Sequence, residues 1–198
     1  MNQPVFTQDW FSHNIPNWEK WLYQLKGKSH LRFLEIGSYE GRATRWLLEN
    51  ILTQDSAKIY CIDQFLGSME HEPKEMPQVK KFFEYNIQPY RNKVLVFVES
   101  SQKALRNHPA IFFENFFDFI YIDGSHQACH VLEDAILSFR FLKKDGLIIF
   151  DDYEWNSYED VKLNPKLAID SWLACFEGQY EIIHKGWQVC LRKTIKTS

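Results

Sequence analysis

Residues 119–152 read FIYIDGSHQACHVLEDAILSFRFLKKDGLIIFDD. Two apolar runs each stop abruptly on aspartate, the first at Asp123 and the second at Asp151-Asp152. Between them the apolar residues Val131, Leu132, Ala135, Ile136, Phe139 and Leu142 recur at helical spacing, which predicts a helix from about Gln127 to Lys143, stopped by Asp145-Gly146. Strand, helix and strand in this order form a parallel pair, because such a pair needs a crossover and the crossover is right-handed. Asp123, Asp151 and Asp152 therefore converge on one edge of a sheet. A strand end fixes its last side chain while the loop beyond it meets a ligand, so this edge is the expected reaction centre.

The same alternation extends upstream. Leu31–Ile36 is an apolar run ending at Gly37, a helical pattern follows from Gly41, and Lys58–Ile62 forms a second strand ending at Asp63. Residues 64–78 are polar, a composition suited to a lid over the sheet edge, and a helix is expected from Val79 to about Ile87. Val94–Val98 and Phe116–Ile122 are the third and fourth strands, with a short helix through Ala104 and Leu105 between them, and Leu147–Phe150 is the fifth. Lys166–Phe176 reads as a helix, and Tyr180–Ile183 with Gln188–Leu191 as a closing antiparallel hairpin. At the other end, Trp18, Trp21, Leu22 and Leu25 predict a helix over about 17–26. The expected fold is an α/β, Rossmann-like three-layer sandwich: a mostly parallel seven-stranded sheet with a C-terminal antiparallel hairpin. Residues 1–198 are read as one domain, with a helical cap over 1–30 and a core over 31–192.

Composition narrows the function. The chain has 198 residues, 45% hydrophobic and 16% aromatic, enough for one buried core. Net charge is −3 and the 23 basic residues are scattered, which argues against nucleic acid as a partner. Cys61, Cys129, Cys175 and Cys190 include no CxxC pair, so free thiols in a reducing compartment are expected. No stretch reaches the ~18 apolar residues of a membrane span, and the opening residues lack a basic head with an apolar core. The reading is a cytoplasmic protein acting on a small molecule, with homo-oligomerisation left open.

In open parallel sheets, ligands sit beyond the carboxyl ends of the strands, where strand order reverses. Glu35-Ile36-Gly37-Ser38-Tyr39-Glu40-Gly41 lies there, and glycines four apart suit a tight strand-to-helix turn that a ligand can approach closely. The dinucleotide fingerprint GxGxxG is absent, which disfavours NAD. Asp63 can accept hydrogen bonds from two ribose hydroxyls.

FLEIGSYEGRAT, the CIDQF strand end, VESSQKAL and FDFIYIDGSH…GLIIFDD together resemble class I S-adenosylmethionine-dependent methyltransferases, across roughly residues 31–192. Within that class the chain is most similar to small metal-dependent O-methyltransferases of the catechol and macrolide-sugar types. The resemblance implies that Gly37, Ser38, Tyr39 and Gly41 shape the methionine pocket with Glu35 in support, that Asp63 holds the ribose, and that Ser101 and Gln102 border the adenine. It also places Asp123, Asp151 and Asp152 on metal-ligand positions. Three carboxylates independently suit a hard cation such as Mg²⁺, although acids here could instead cap loops or contact the cofactor. The doubled aspartate departs from the catechol type, which has asparagine at its second position. His126 stands where the catechol type carries a lysine base and is the candidate general base for a substrate hydroxyl. His126 and His130 are also an i,i+4 pair, a weaker zinc alternative. Substrate contacts are sought in the loop 64–78 with Phe65, Met69 and His71, in Tyr153–Tyr158 with Trp155, and in the N-terminal tryptophans. A metal-independent methyltransferase and a non-catalytic cofactor-binding protein remain the alternatives.

Overall fold

Alternation along the strands decides which face of the sheet each helix covers. The computed structural model describes residues 3–67 and 76–195. Seven strands form one sheet: β1 (Arg32–Ile36), β2 (Lys58–Ile62), β3 (Val94–Phe97), β4 (Phe117–Ile122), β5 (Leu142–Phe150), β6 (Tyr180–Lys185) and β7 (Val189–Lys193), in the order β3-β2-β1-β4-β5-β7-β6. The first five are parallel, and β7 joins β5 antiparallel and pairs with β6 as a hairpin. Strand order reverses between β1 and β4, so their carboxyl ends open a crevice at that point.

Because side chains alternate across a strand, Phe33, Ile59, Cys61, Phe119, Tyr121, Leu147 and Ile149 point to one face. There they meet α1 (Ile15–Leu22), α2 (Arg42–Asn50) and α3 (Met76–Ile87) through Trp18, Leu47 and Phe83. Leu34, Ile36, Tyr60, Ile120, Ile122, Ile148 and Phe150 point the other way. They meet α4 (Ser101–Asn107), α5 (Ala128–Phe139) and α6 (Pro165–Cys175) through Leu105, Val131, Phe139 and Trp172. Trp18 is fully buried, edge-on to Tyr121 with ring centroids 4.8 Å apart, so the N-terminal helix covers the sheet. Among the described residues, no helix is long and apolar enough to cross a membrane.

Several expected boundaries shift: α1 is Ile15–Leu22 rather than 17–26, α3 starts at Met76 rather than Val79, and the largest differences lie between α5 and β5. The helix after β4 ends at Phe139 rather than near Lys143, and Ile136 is exposed rather than buried. β5 begins at Leu142, and Asp145-Gly146 forms an irregularity inside it: Leu142 pairs with Phe117 and Leu147 with Phe119. Asp145 takes a left-handed φ of 66° there. The helix is ended from a distance by the buried Lys193 of β7, which donates to the Phe139 carbonyl at 2.9 Å and the Leu142 carbonyl at 2.8 Å. A cation at a helix carboxyl terminus satisfies its orphan carbonyls and opposes its dipole, and no local pattern announces it.

Candidate active site

The crevice is a single cavity of about 1110 Å³, large enough for a nucleoside-sized molecule and a second reactant together. One half lies over β1, β2 and β3 and is walled by Gly37, Ser38, Tyr39, Asp63, Glu99, Ser101 and Gln102. The other lies over β4 and β5 and is walled by Asp123, His126, Asp151, Asp152, Trp155 and Tyr158. All expected site residues except Glu35 and Gly41 line this cavity.

Those two act from behind the wall. Glu35 is buried beneath the loop, accepting at Oε2 from the Ser38 hydroxyl at 2.6 Å, from the Thr44 hydroxyl, and from the Cys61 thiol at 3.5 Å. Burial outweighs these donors and pushes the Glu35 carboxyl up to about 7. Gly41 sits just ahead of α2 with φ 79°, where an added Cβ would lie 2.9 Å from the Phe83 ring.

The glycine at 37 is required for a different reason than ligand approach. A Cβ on it would fall 2.0 Å from the Asp123 carbonyl oxygen and 2.6 Å from the Gly124 Cα, at a φ of 86°. The two strand ends on either side of the crevice touch through this missing side chain. Gly37→Ala is therefore expected to lower unfolding free energy by about 3 kcal/mol or more, read as a shifted urea midpoint, since overpacking and left-handed strain add. A wild-type midpoint would show that the β1 and β4 ends are not locked together.

Asp63 is engaged by the loop itself. Its Oδ2 accepts from the backbone N–H groups of Ser38 at 2.8 Å and Tyr39 at 2.9 Å, and its Oδ1 accepts from Phe65 N–H at 2.6 Å. The loop amides are thus held by Asp63, whose two oxygens carry about four lone-pair sites and keep capacity for one more donor rather than for two ribose hydroxyls. An N-terminal strap completes this wall. Thr7 donates to Glu40 through its N–H at 2.7 Å and its hydroxyl at 2.6 Å, Val5 and the Asn86 amide exchange two bonds of 2.7 Å, and Trp10 packs on Tyr39 with ring centroids 5.0 Å apart. This brings Trp10 and His13 into the cavity, while Trp18 and Trp21 stay in the core. Of the substrate candidates in the 64–78 loop, Phe65 is buried against Phe83, and Met69 and His71 lie outside the described residues.

The acids meet as the strands require. β4 and β5 are neighbours, with Ile122 opposite Phe150, so Asp123 and Asp151 leave the sheet side by side. Asp152 takes a left-handed φ of 58°, which aspartate tolerates, and its Oδ2 lies 2.7 Å from His126 Nε2. The imidazole is stacked on Trp155, ring centroids 4.6 Å apart. Ligand atoms of Asp123, His126 and Asp152 all lie within 4.8 Å of one another. Asp151 is turned inward: its Oδ2 accepts from the Tyr121 hydroxyl and from Gln188 Nε2 at 3.0 Å, and Gln188 Oε1 in turn accepts from Trp18 Nε1 at 2.8 Å. His130 is drawn away to the Ser125 hydroxyl at 3.0 Å, which parts the i,i+4 histidine pair.

This cluster is short of positive charge. Among the described residues no lysine or arginine pairs with Asp123, Asp151 or Asp152. The Tyr121 hydroxyl touches both Asp123 Oδ2, at 2.8 Å, and Asp151 Oδ2, yet it has one proton to give, so the second contact needs a proton on an acid. Burial, with Asp151 and Asp152 close by, holds the Asp123 carboxyl well above the ordinary carboxylate range. Burial and then the Asp152 charge push Asp151 upward too. The donor set, carboxylate oxygens with one imidazole, is of the kind that fits a divalent ion.

Sequence reasoning missed Tyr121, Gln188 and Trp18 behind the acids, and Asp134 in the cavity wall. Asp134 alone left a trace, a charge on the otherwise apolar face of α5.

Comparison with known proteins agrees with this arrangement. The profile of a family described as "Methyltransferase domain" matches residues 34–153. An uncharacterized protein of Acanthamoeba polyphaga mimivirus is 28% identical over 127 residues, 64% of this chain, and the chain spans about half, 53%, of that relative. Among solved structures, a protein assigned as an O-methyltransferase from Klebsiella pneumoniae superposes with TM-score 0.69 at 13% identity, over 96% of this chain and 84% of the other. One assigned as an rRNA methylase from Clostridium thermocellum gives 0.66 at 9%, over 96% and 100%. The MycE methyltransferase of the mycinamycin pathway, in complex with Mg, SAH and mycinamycin VI, gives 0.66 at 13%, over 94% and 51%. At such identities the structural likeness speaks for the fold, while the family profile covers most of the chain. The chain belongs to the methyltransferase-domain family.

Proposed function

We propose that the protein is a divalent-metal-dependent O-methyltransferase acting on a hydroxyl of a small molecule, a sugar or phenolic unit. The observation that carries this reading is the cation-poor cluster of Asp123, Asp152 and His126 at the acceptor end of a cavity built for two molecules. S-adenosylmethionine, when bound, supplies a methyl group on a positively charged sulfur, and a divalent cation, when bound, supplies Lewis acidity toward a hydroxyl oxygen. The chain's own residues do the rest.

The loop 37–39, fixed by Asp63 and by the Glu35–Ser38 bond, shapes the methionine subsite, with Ser101 and Gln102 at its adenine end. Asp63 keeps one lone-pair site for a ribose hydroxyl. Asp123 and Asp152 hold the cation, and Asp151, tied to Tyr121 and Gln188, buttresses them from behind. His126 accepts the acceptor's hydroxyl proton, its ring aimed by Asp152 and braced by Trp155. Trp10, Tyr39, Trp155 and Tyr158 give the cavity an apolar rim that excludes water and aligns a ring-shaped acceptor for in-line transfer. A small-molecule acceptor is favoured over RNA by the net charge of −3 and by basic residues scattered along the chain. Four unpaired cysteines fit a reducing, cytoplasmic setting.

The 2.7 Å His126–Asp152 pair favours one competing reading, a metal-free transferase in which the acid only polarises the histidine. Methyl transfer from labelled S-adenosylmethionine to a panel of phenols and sugars, with Mg²⁺ or with chelator, separates the two. Transfer that needs Mg²⁺ is the expected result. Full activity in chelator would leave the metal-free dyad.

A further inference from the structure

A buried acid at the far end of the cavity is used by nothing in this mechanism. Gln127, at the cap of α5, and His130 and Asp134, at successive turns on it, all line the cavity, as do Glu99, just ahead of α4, and Ser101 and Gln102 in its first turn. Asp134 is only 2% exposed. Its Oδ1 accepts from the Ser101 hydroxyl, and among the described residues its Oδ2 has no hydrogen-bond partner. A structural tie between α4 and α5 would not need this arrangement, since an asparagine or serine would make the same bond without burying a charge. Burial, with the Glu133 charge adding to it, outweighs the Ser101 hydrogen bond and pushes this carboxyl up to about 7, the mark of an acid whose partners do not compensate its loss of water.

We infer that Asp134 is a specificity-determining residue for the cofactor, its carboxylate fastened by Ser101 and accepting a hydrogen bond from the exocyclic amino group of the adenine. The inference rests on the reading that this cavity takes S-adenosylmethionine. It follows from complementarity: the end of the cavity bounded by Ser101, Gln102 and Asp134 offers a buried acceptor with an open lone pair, and the amino group of adenine is a planar donor. A base with a carbonyl at the same position would set oxygen against carboxylate. A buried polar group built to receive one donor rejects an analogue lacking it, because the group is then left unpaired.

The test is calorimetric titration of the intact protein with S-adenosylhomocysteine and with S-inosylhomocysteine, which replaces the amino group by a carbonyl oxygen. Wild type is expected to prefer the adenine form by about 10–100-fold, the range of one buried charge-assisted hydrogen bond. Asp134→Asn, whose amide can donate to the carbonyl, is expected to bring the ratio to near one or invert it. Asp134→Ser has no charge to bury and serves if the first variant does not fold; it too is expected to erase the preference. A wild type that does not discriminate, or variants that weaken both ligands equally and keep the wild-type ratio, would overturn the inference. Failure of wild type to bind either ligand would instead overturn the cofactor reading beneath it.

Discussion

Asp152→Asn is expected to lower methyl transfer by about 10²–10³-fold, the range for removing one group that stabilises charge developing in the transition state. Mn²⁺ affinity, read by electron paramagnetic resonance, should fall with it. Asp123→Asn should behave alike, because both carboxylates belong to the cluster whose ligand atoms lie within 4.8 Å. Asp151→Asn makes the informative contrast. Its Oδ2 is already occupied by Tyr121 and Gln188, and an asparagine oxygen could still accept from both. As a buttress behind the ligands it should weaken Mn²⁺ binding by about 10–100-fold at most, as outer-sphere partners do. Equal loss in all three variants would make Asp151 a direct ligand and the inward geometry unimportant.

His126→Ala is expected to lower kcat by about 10²–10⁴-fold, the usual share of a positioned general base. The sign with pH is fixed by the role. A base must be unprotonated to act, so kcat/KM should rise with pH on the acidic side in wild type, and that limb should vanish in the variant while direct transfer to an ionised acceptor survives at high pH. His126→Lys should restore part of the rate toward higher pH. Because Nε2 sits 2.7 Å from Asp152, the imidazole could instead serve as a ligand. Mn²⁺ affinity tells the two apart: a base leaves it within about tenfold of wild type, and a ligand does not. Unchanged kcat and pH profile in His126→Ala would remove the residue from the chemistry.

Strand ends at Ile36, Ile62 and Phe150 were legible in the sequence because apolar runs stop on glycine or aspartate, and the parallel crossover rule then set Asp63, Asp123 and Asp151 on one edge. The end of α5 was not legible, since Lys193, more than fifty positions away, supplies the donor that stops it, and Asp145 then takes a left-handed turn inside the strand. The role of Gly37 was half legible. Its turn conformation followed from position, but its contact with the Asp123 carbonyl is a property of β1 and β4 lying side by side.

The site shows the same division. That acids and a histidine would gather was readable, because they fall at strand ends or just beyond. Which acid faces the ligand was not, since this depends on Gln188 and Trp18, brought to Asp151 from opposite ends of the chain. Asp63 lines the cavity, yet its bonds to Ser38 and Tyr39 make it first an organiser of the loop. Hydrogen-bond partners distant in sequence leave no periodic trace, whereas hydrophobic patterning does.

The proposed reaction requires the carboxylates beyond β4 and β5 to hold a divalent cation beside the cofactor. A crystal structure of the protein with S-adenosylhomocysteine and Mn²⁺, measured for anomalous scattering, tests it most directly. The expected result is a manganese peak bounded by the Asp123 and Asp152 side chains, with the adenosyl group over Gly37–Tyr39. Cofactor density with no manganese peak at that cluster would contradict it.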